Sequence, residues 1–271
     1  MRIEPNTFIC ADSNEVLREL PNGFCDLVLT DPPYGIGECR GQHKSRNANR
    51  VDRRTGSPIV IKHSGYKESE WDLCPPSPDL LSHIKRIGKN QIVWGGNYFA
   101  ATLGNSPCWL VWDKVNGECD FADCELAWTS FPSAVRLVAY MWCGFLQGKS
   151  IKEGRTSQGD KRLCEPRVHP TQKPVPLFVW CLLNYSKPGD LIIDPFCGSG
   201  TTALACHKTG RRFICIDRDP EYIKIAQQRY EQMLVQRDIF EAGAPAEECG
   251  AGLVQSPNSR SVGICQENMQ L

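Results

Sequence analysis

Leu191-Ile192-Ile193-Asp194-Pro195-Phe196-Cys197-Gly198-Ser199-Gly200 is the stretch on which the fold turns. The apolar run Leu191–Ile193 reads as a strand buried in a parallel sheet. It gives way to an acid and a glycine-rich turn. Thr201 to Lys208 then reads as a helix closed by Gly210. Phe213 to Ile216 reads as a second strand, ending at Asp217. Strand, glycine turn, helix, strand, acid is the plan of a nucleotide-binding βαβ unit. Glycines let the backbone approach a ligand, and the closing acid can accept from both ribose hydroxyls. Asp217 follows Asp194 by 23 residues, near the usual spacing of about 20. The dinucleotide fingerprint needs a third glycine, but Gly198-Ser199-Gly200 is followed by Thr201-Thr202-Ala203. Asp194 within the loop would repel a pyrophosphate, yet could pair with an amino group or lie near a sulfonium. The pattern favours S-adenosylmethionine (SAM) over NAD.

A similar apolar run, Leu27-Val28-Leu29, leads into Thr30-Asp31-Pro32-Pro33-Tyr34-Gly35. An acid, two prolines and an aromatic at a strand end make a stiff polar pocket suited to an exocyclic amino group. The Asp31 carboxylate can accept one N–H. The Pro32 carbonyl can accept the other, because Pro32 and Pro33 fix the backbone. Those two bonds would steer the nitrogen lone pair at a donor methyl. Tyr34 offers a ring on which a base can stack. A sulfonium donor is already activated, so the protein supplies orientation and electrostatics. A base in a duplex reaches such a site only when flipped out. Read alone, the stretch is also compatible with a plain proline-stiffened turn.

The remaining chain supports a layered α/β architecture. Strands are expected at Phe8–Cys10, Asp26–Leu29, Gln91–Trp94, Cys108–Trp112, Glu125–Thr129 and Val135–Tyr140. Helices are expected after Asp12 or Ser13, over Pro78–Ile87, over Val175–Tyr185, and from the Asp219-Pro220 cap to about Gln236. Strand–helix alternation with short connections predicts a parallel sheet covered by helices on both faces. A single domain over residues 1–241 is expected, with a catalytic half to 143 and a cofactor half from 169 to 236. Beyond Ala242 the chain is poor in bulky apolar residues, which predicts a disordered tail.

Composition narrows the function classes. No apolar run approaches the roughly 20 residues of a membrane helix, and the N-terminus lacks a signal-peptide core. A cytoplasmic protein with no membrane partner is expected. Fifteen cysteines occur without any C-x-x-C spacing. An odd number of thiols, several within apolar runs (Cys10, Cys181, Cys206, Cys215), fits reduced cysteines and no metal. The net charge is zero, but its distribution is uneven. Residues 36–67 hold eight Lys or Arg against two acids, 8 − 2 = +6. Residues 144–168 hold six against three, 6 − 3 = +3. Residues 231–271 hold two against six, 2 − 6 = −4. A long basic loop within a compact domain points to substrate contact.

Asp31-Pro32-Pro33-Tyr34 taken with Asp194–Gly200 resembles the amino-group DNA methyltransferases. The catalytic motif precedes the cofactor motif, as in their permuted beta-type subgroup. His169-Pro170-Thr171-Gln172-Lys173-Pro174 is similar to the segment that precedes the cofactor motif there. The resemblance covers about residues 5–235. It implies a Rossmann-like seven-stranded SAM-dependent methyltransferase fold, and transfer from SAM to adenine N6 or cytosine N4. Carried over, Asp31, Pro32, Pro33 and Tyr34 would hold the target base. Asp194, Pro195, Phe196, Gly198, Ser199, Gly200 and Thr201 would line the SAM site, with Asp217 on the ribose. Asp12 would touch the adenine edge, while Thr171 and Lys173 would flank the methionine end. For Lys173 a solvated lysine at a helix start is the alternative. Cytosine-N4 members often carry Ser where Asp31 stands, so adenine is favoured.

The resemblance also implies double-stranded DNA as partner, and a place in restriction-modification beside a companion restriction endonuclease, as monomer or homodimer. The recognition slot, about residues 144–168, is short and would share its work with the 36–70 loop. Arg40, Lys44, Arg46, Arg50, Arg53, Arg54, Lys149, Lys152 and Arg155 are the candidate DNA contacts. Other readings stay open at this stage: methylation of cytosine N4, of RNA or of a protein amide, a DNA-binding protein with an inactive site, and an NAD(P)-dependent oxidoreductase.

Overall fold

Alternation of apolar side chains along the central strands gives both faces of one sheet something to bury. A computed structural model describes residues 3–36, 74–116, 122–143, 146–168 and 171–242. The first half of the chain forms β1 (Thr7–Cys10), α1 (Ser13–Glu19), β2 (Cys25–Thr30), α2 (Pro78–Ile87) and β3 (Gly88–Trp94). It continues through α3 (Ala100–Leu103), β4 (Trp109–Asp113), β5 (Cys124–Thr129) and β6 (Arg136–Ala139). A small hairpin, β7 (Trp142–Cys143) with β8 (Leu146–Gln147), follows. The last part is α4 (Val175–Tyr185), β9 (Leu191–Asp194), α5 (Thr201–Thr209), β10 (Arg212–Asp217) and α6 (Pro220–Ala242).

The main sheet runs β1-β10-β9-β2-β3-β5-β4-β6. From β1 to β3 every neighbouring pair is parallel. The parallel pairing expected from alternation ends at that point: β5 pairs antiparallel with both β3 and β4. The chain passes from β4 to β5 without an intervening helix among the described residues, so it returns antiparallel. The sheet has eight strands rather than seven, the outermost being β6, parallel to β4. Helix α6 extends past Gln236 to Ala242, and the tail expected to be disordered lies outside the described residues.

Leu27, Leu29, Ile92 and Ile192 face α4 and α5 with Leu177, Phe178, Cys181 and Cys206 in one core layer. Val28, Val93, Ile193 and Ile214 face the other way and meet Leu17, Leu81, Ile84 and Ile87 of α1 and α2. Each such fully buried side chain contributes about 1.5–3 kcal/mol of apolar transfer. Helix ends are set by local chemistry. Asp12 caps α1 by accepting from the amides of Asn14 and Glu15, and Ser77 caps α2 by accepting from Leu80. Cys181, Cys206 and Cys215 are buried as expected, whereas Cys10 is exposed. Its position at the end of edge strand β1 leaves its thiol outside the core.

β9 delivers the glycine turn and β2 the acid-proline turn. They are adjacent, with Leu27 opposite Ile192 and Val28 opposite Ile193. β10 lies on one side of this pair and β3 on the other, so the chain reverses its winding sense there. Crevices at such switch points, outside the carboxyl ends of the strands, are where α/β sheets bind ligands.

Gly200 is a tight point of this arrangement. Its φ is +80°, and a Cβ there would sit 2.7 Å from Cβ of Ala226 on α6. Gly23 has φ of +63° but open space around it. Gly200→Ala is therefore expected to destabilise by about 2–4 kcal/mol, and Gly23→Ala by only about 1 kcal/mol. Thermal melts of the two variants check the ranking.

Candidate active site

A cavity of about 750 Å³ opens at the switch point. It is of the size used for drug-sized ligands and cofactors. Asp31 and Pro33 line it from the β2 end, and Asp194, Pro195, Phe196, Gly198, Ser199 and Thr201 from the β9 end. Asp217 after β10, Asp12 after β1, and Thr171 and Lys173 before α4 complete the lining. The structure thus gathers residues as far apart in sequence as Asp12 and Asp217. Three candidates stand back from it: Pro32 is buried, Gly200 packs on Ala226, and Tyr34 lies behind Asp31 in an aromatic cluster.

Asp194 joins the two motifs physically. Its Oδ1 accepts from the Thr30 hydroxyl at 2.8 Å and from the Phe196 amide at 3.1 Å, and its Oδ2 accepts from the Thr202 hydroxyl. The carboxylate thereby commits most of its roughly four lone-pair sites to the protein. Burial pushes its pKa up to about 7, despite the bonds from Thr202, Thr30 and Phe196 that favour the ionised form. Asp217 accepts from the Gly198 amide at 2.9 Å and the Asp219 amide at 2.9 Å, which shapes the glycine loop. Burial raises its pKa too. Asn14, also on the cavity wall, keeps a buried amide oxygen with no hydrogen-bond partner. An orphaned acceptor beside carboxylates and a glycine loop fits a cofactor bearing an amino-substituted ring and a cationic centre.

A second cluster lies behind Asp31. Lys173 is only 6% exposed, so it is not the solvated lysine of the alternative reading. Its ammonium donates to Asp31 Oδ2 at 2.6 Å and to the Tyr34 hydroxyl at 3.0 Å, and it lies 2.9 Å from Glu125 Oε2. The Tyr34 hydroxyl donates to Asp31 Oδ1 at 2.6 Å, with Glu125 Oε2 at 3.2 Å. Lys114 meets the other oxygen of Glu125 at 2.5 Å. Burial disfavours the charge on Lys173, but Asp31 and Glu125 outweigh it and its pKa is raised. Burial likewise opposes the charge of Glu125, yet Lys173 and Lys114 hold it down to about 2. Asp31 moves up, because burial and the neighbouring Glu125 outweigh Lys173.

Tyr34 is seated by glycine. A Cβ on Gly95 would fall 2.0 Å from Tyr34 Cε1, so only glycine lets the ring lie there. Half-exposed Tyr98 stacks on Tyr34 with centroids 4.9 Å apart and planes 18° apart. A second tie holds the segment before α4: Arg229 of α6 bonds Glu165 at 2.9 Å and the Ser199 carbonyl at 2.5 Å. Glu165 also accepts from the Val175 amide and from Gln172.

Arg40, Lys44, Arg46, Arg50, Arg53 and Arg54 lie outside the described residues. The segment containing them leaves and returns beside the cavity, since a Cβ on Gly35 would lie 2.6 Å from Pro75 Cδ and Cys74–Ser77 line the wall. Lys149, Lys152 and Arg155 do not line the cavity. Lys149 pairs with Glu153 at 2.8 Å and Arg155 with Asp113 at 2.6 Å, while Lys152 borders a smaller cavity with Leu137 and Trp180. No group of three or more His, Cys, Asp or Glu among the described residues is arranged to hold a metal. No described helix is long and apolar enough to cross a membrane.

Sequence reasoning missed Glu125, Lys114, Asn14, Phe178, Asp219 and Tyr222 as parts of this region. Only Asn14, two residues after Asp12, and Asp219, two after Asp217, sit next to a motif. The others arrive through tertiary packing.

A family model described as DNA methylase matches residues 44–228. That span begins after Asp31-Pro32-Pro33-Tyr34 and includes Lys173 and Asp194–Gly200. The chain is 25% identical over 258 residues to the Type II methyltransferase M.HinfI of Haemophilus influenzae, covering 84% of this chain and 69% of that one. It is 26% identical over 247 residues to the Type II methyltransferase M.HpaI of Haemophilus parainfluenzae, covering 82% and 73%. Among solved structures it is similar to the M1.HpyAVI–SAM complex, at a TM-score of 0.46 and 21% identity, covering 82% of this chain and 98% of that one.

The raised Asp194 pKa makes stability depend on pH. The unfolded group titrates near 3.8 and the folded one near 7, so between those values the folded state binds more protons. Stability therefore falls as pH rises through that window, by up to about 4 kcal/mol from this group. A higher urea midpoint at pH 5 than at pH 8 is expected, with a smaller difference in Asp194→Asn. Asp31, Glu165 and Asp217 shift in the same direction, so part of the slope persists.

Proposed function

The chain belongs to the N6/N4 DNA methylase family, SAM-dependent enzymes that methylate an amino group of a DNA base, and from that premise we propose that its acceptor is adenine N6 in duplex DNA. The observation that carries the reading is Asp31. A carboxylate, 18% exposed, stands on the wall of the same cavity as the Asp194–Gly200 loop. A carboxylate accepts only, which suits an amino group that must present two N–H bonds and a free lone pair.

The chain's own groups divide the work. SAM, when bound, supplies a methyl already activated for transfer. Asp217 would take its ribose, Asp12 and Asn14 its adenine edge, and Thr171 and Ser199 would flank its methionine end. Asp194 would hold the glycine loop in place for the bound cofactor. Asp31 and the Pro32 carbonyl would orient the acceptor amino group toward the donor. Tyr34 would stack the extruded base, at the place where half-exposed Tyr98 now lies. The basic segment that leaves at Gly35 and returns at Pro75 would run along the phosphates, with Arg40 through Arg54 as contacts.

Incubation with labelled SAM and unmodified duplex DNA, followed by mass spectrometry of the nucleosides, tests this. N6-methyladenine is expected, and Asp31→Ala should lower the rate by about 100-fold or more while leaving SAM binding in place. A product consisting of N4-methylcytosine alone would overturn the adenine assignment. Mapping of the modified bases should then return a short recognition sequence.

A further inference from the structure

Glu125 belongs to no motif, yet it sits at the centre of the charge cluster behind Asp31. We propose that Glu125 is a positioning residue for methyl transfer, holding the Lys173 ammonium so that Asp31 is released to the acceptor amino group. The inference rests on the reading of Asp31 as the group that binds that amino nitrogen.

Both oxygens of Asp31 already have donors: Tyr34 on Oδ1 at 2.6 Å and Lys173 on Oδ2 at 2.6 Å. Each oxygen keeps a second lone pair, so an arriving N–H shares the carboxylate with these donors and is held more strongly when one of them withdraws. Tyr34 is neutral, and burial together with Asp31 and Glu125 raises its pKa well above the usual value. Lys173 is the stronger competitor, because it brings a full positive charge to the carboxylate as well as a hydrogen bond. If Asp31 were its only carboxylate, leaving would strand a buried ammonium, which proteins avoid. Glu125 Oε2, 2.9 Å from the same nitrogen, removes that obstacle, because Lys173 can let go of Asp31 and stay paired.

Charge balance sharpens the argument. Lys114 and Lys173 face Asp31 and Glu125, two cations against two anions. Without Glu125 the set is net positive and Lys173 closes on Asp31. Removing Lys173 as well restores one cation against one anion and leaves Asp31 open to substrate. The consequence of losing Glu125 thus depends on whether Lys173 is present.

A double-mutant cycle reads this dependence. Wild type, Glu125→Gln, Lys173→Met and the double variant are compared by single-turnover methyl transfer to unmodified duplex DNA. SAM and DNA are saturating, the temperature is well below each melting midpoint, and SAM affinity is measured by calorimetry. Glu125→Gln should lower the transfer rate about tenfold or more with SAM affinity within about twofold, and the double variant should be about threefold or more faster than Glu125→Gln. A double variant no faster than Glu125→Gln overturns the proposal, as does wild-type speed in Glu125→Gln. Should Glu125→Gln fail to fold, Glu125→Asp keeps the charge but draws it back by one methylene. It should transfer more slowly than wild type, and equal speed overturns the proposal. Failure of wild type to methylate DNA at all would fell the functional reading first, and is distinguishable from an additive cycle.

Discussion

The hydrogen bond from Thr30 to Asp194, 2.8 Å across neighbouring strands, is the joint on which the site depends. It connects groups 164 residues apart and buries both of them. One end belongs to the turn that presents Asp31, the other to the turn that presents Gly198 and Gly200. Thr202 adds a third element, since its hydroxyl bonds the opposite oxygen of Asp194 and ties in the first turn of α5. Two loops carried by separate strand ends would otherwise drift independently. Catalysis by orientation tolerates errors of about 1 Å poorly, so a buried carboxylate with a donor from each loop and from α5 is a sound place to fix the relative position of the two loops.

Rigidity there coexists with a costly cluster next door. Lys173, Asp31, Glu125 and Tyr34 are all partly or fully withdrawn from water. Apolar residues of the same shape would stabilise the fold as well or better, because desolvating ions offsets most of their attraction. The cluster instead places a partly buried carboxylate on the cavity wall, opposed by a cation that it shares with Glu125. The same reasoning explains Gly95 and Gly96. Their missing side chains let Tyr34 and Trp128 come against backbone, at the expense of extra chain entropy in the unfolded state.

Much of this was legible in the sequence, and the boundary of legibility has a physical reason. Leu27–Leu29 and Leu191–Ile193 announce buried strands by composition alone, and the turns after them are written in consecutive residues. Asp12 as a helix cap and Asp219-Pro220 as a helix start rest on contacts within two or three residues. Glu125 was invisible because it lies in an ordinary strand, and its partners reach it from β2, from the end of β4 and from the segment before α4. Lys173 was seen as near the cofactor, but its ammonium is aimed at Asp31, which only packing of α4 on the sheet decides. The antiparallel course of β5 escaped notice for a related reason: apolar strands without an intervening helix look alike in either direction.

Order along the chain matters less here than order across the sheet. The acid-proline motif comes before the glycine motif in sequence, yet β2 and β9 are neighbours, with β10 and β1 extending one way and β3 the other. What the site requires is two loops at the carboxyl ends of adjacent parallel strands, and the winding reversal between them opens the crevice. Any chain order that pairs those two strands satisfies the requirement. Gly35 and Pro75 lie against each other, with Pro75 on the cavity wall, apart from the buried Thr30–Asp194 joint.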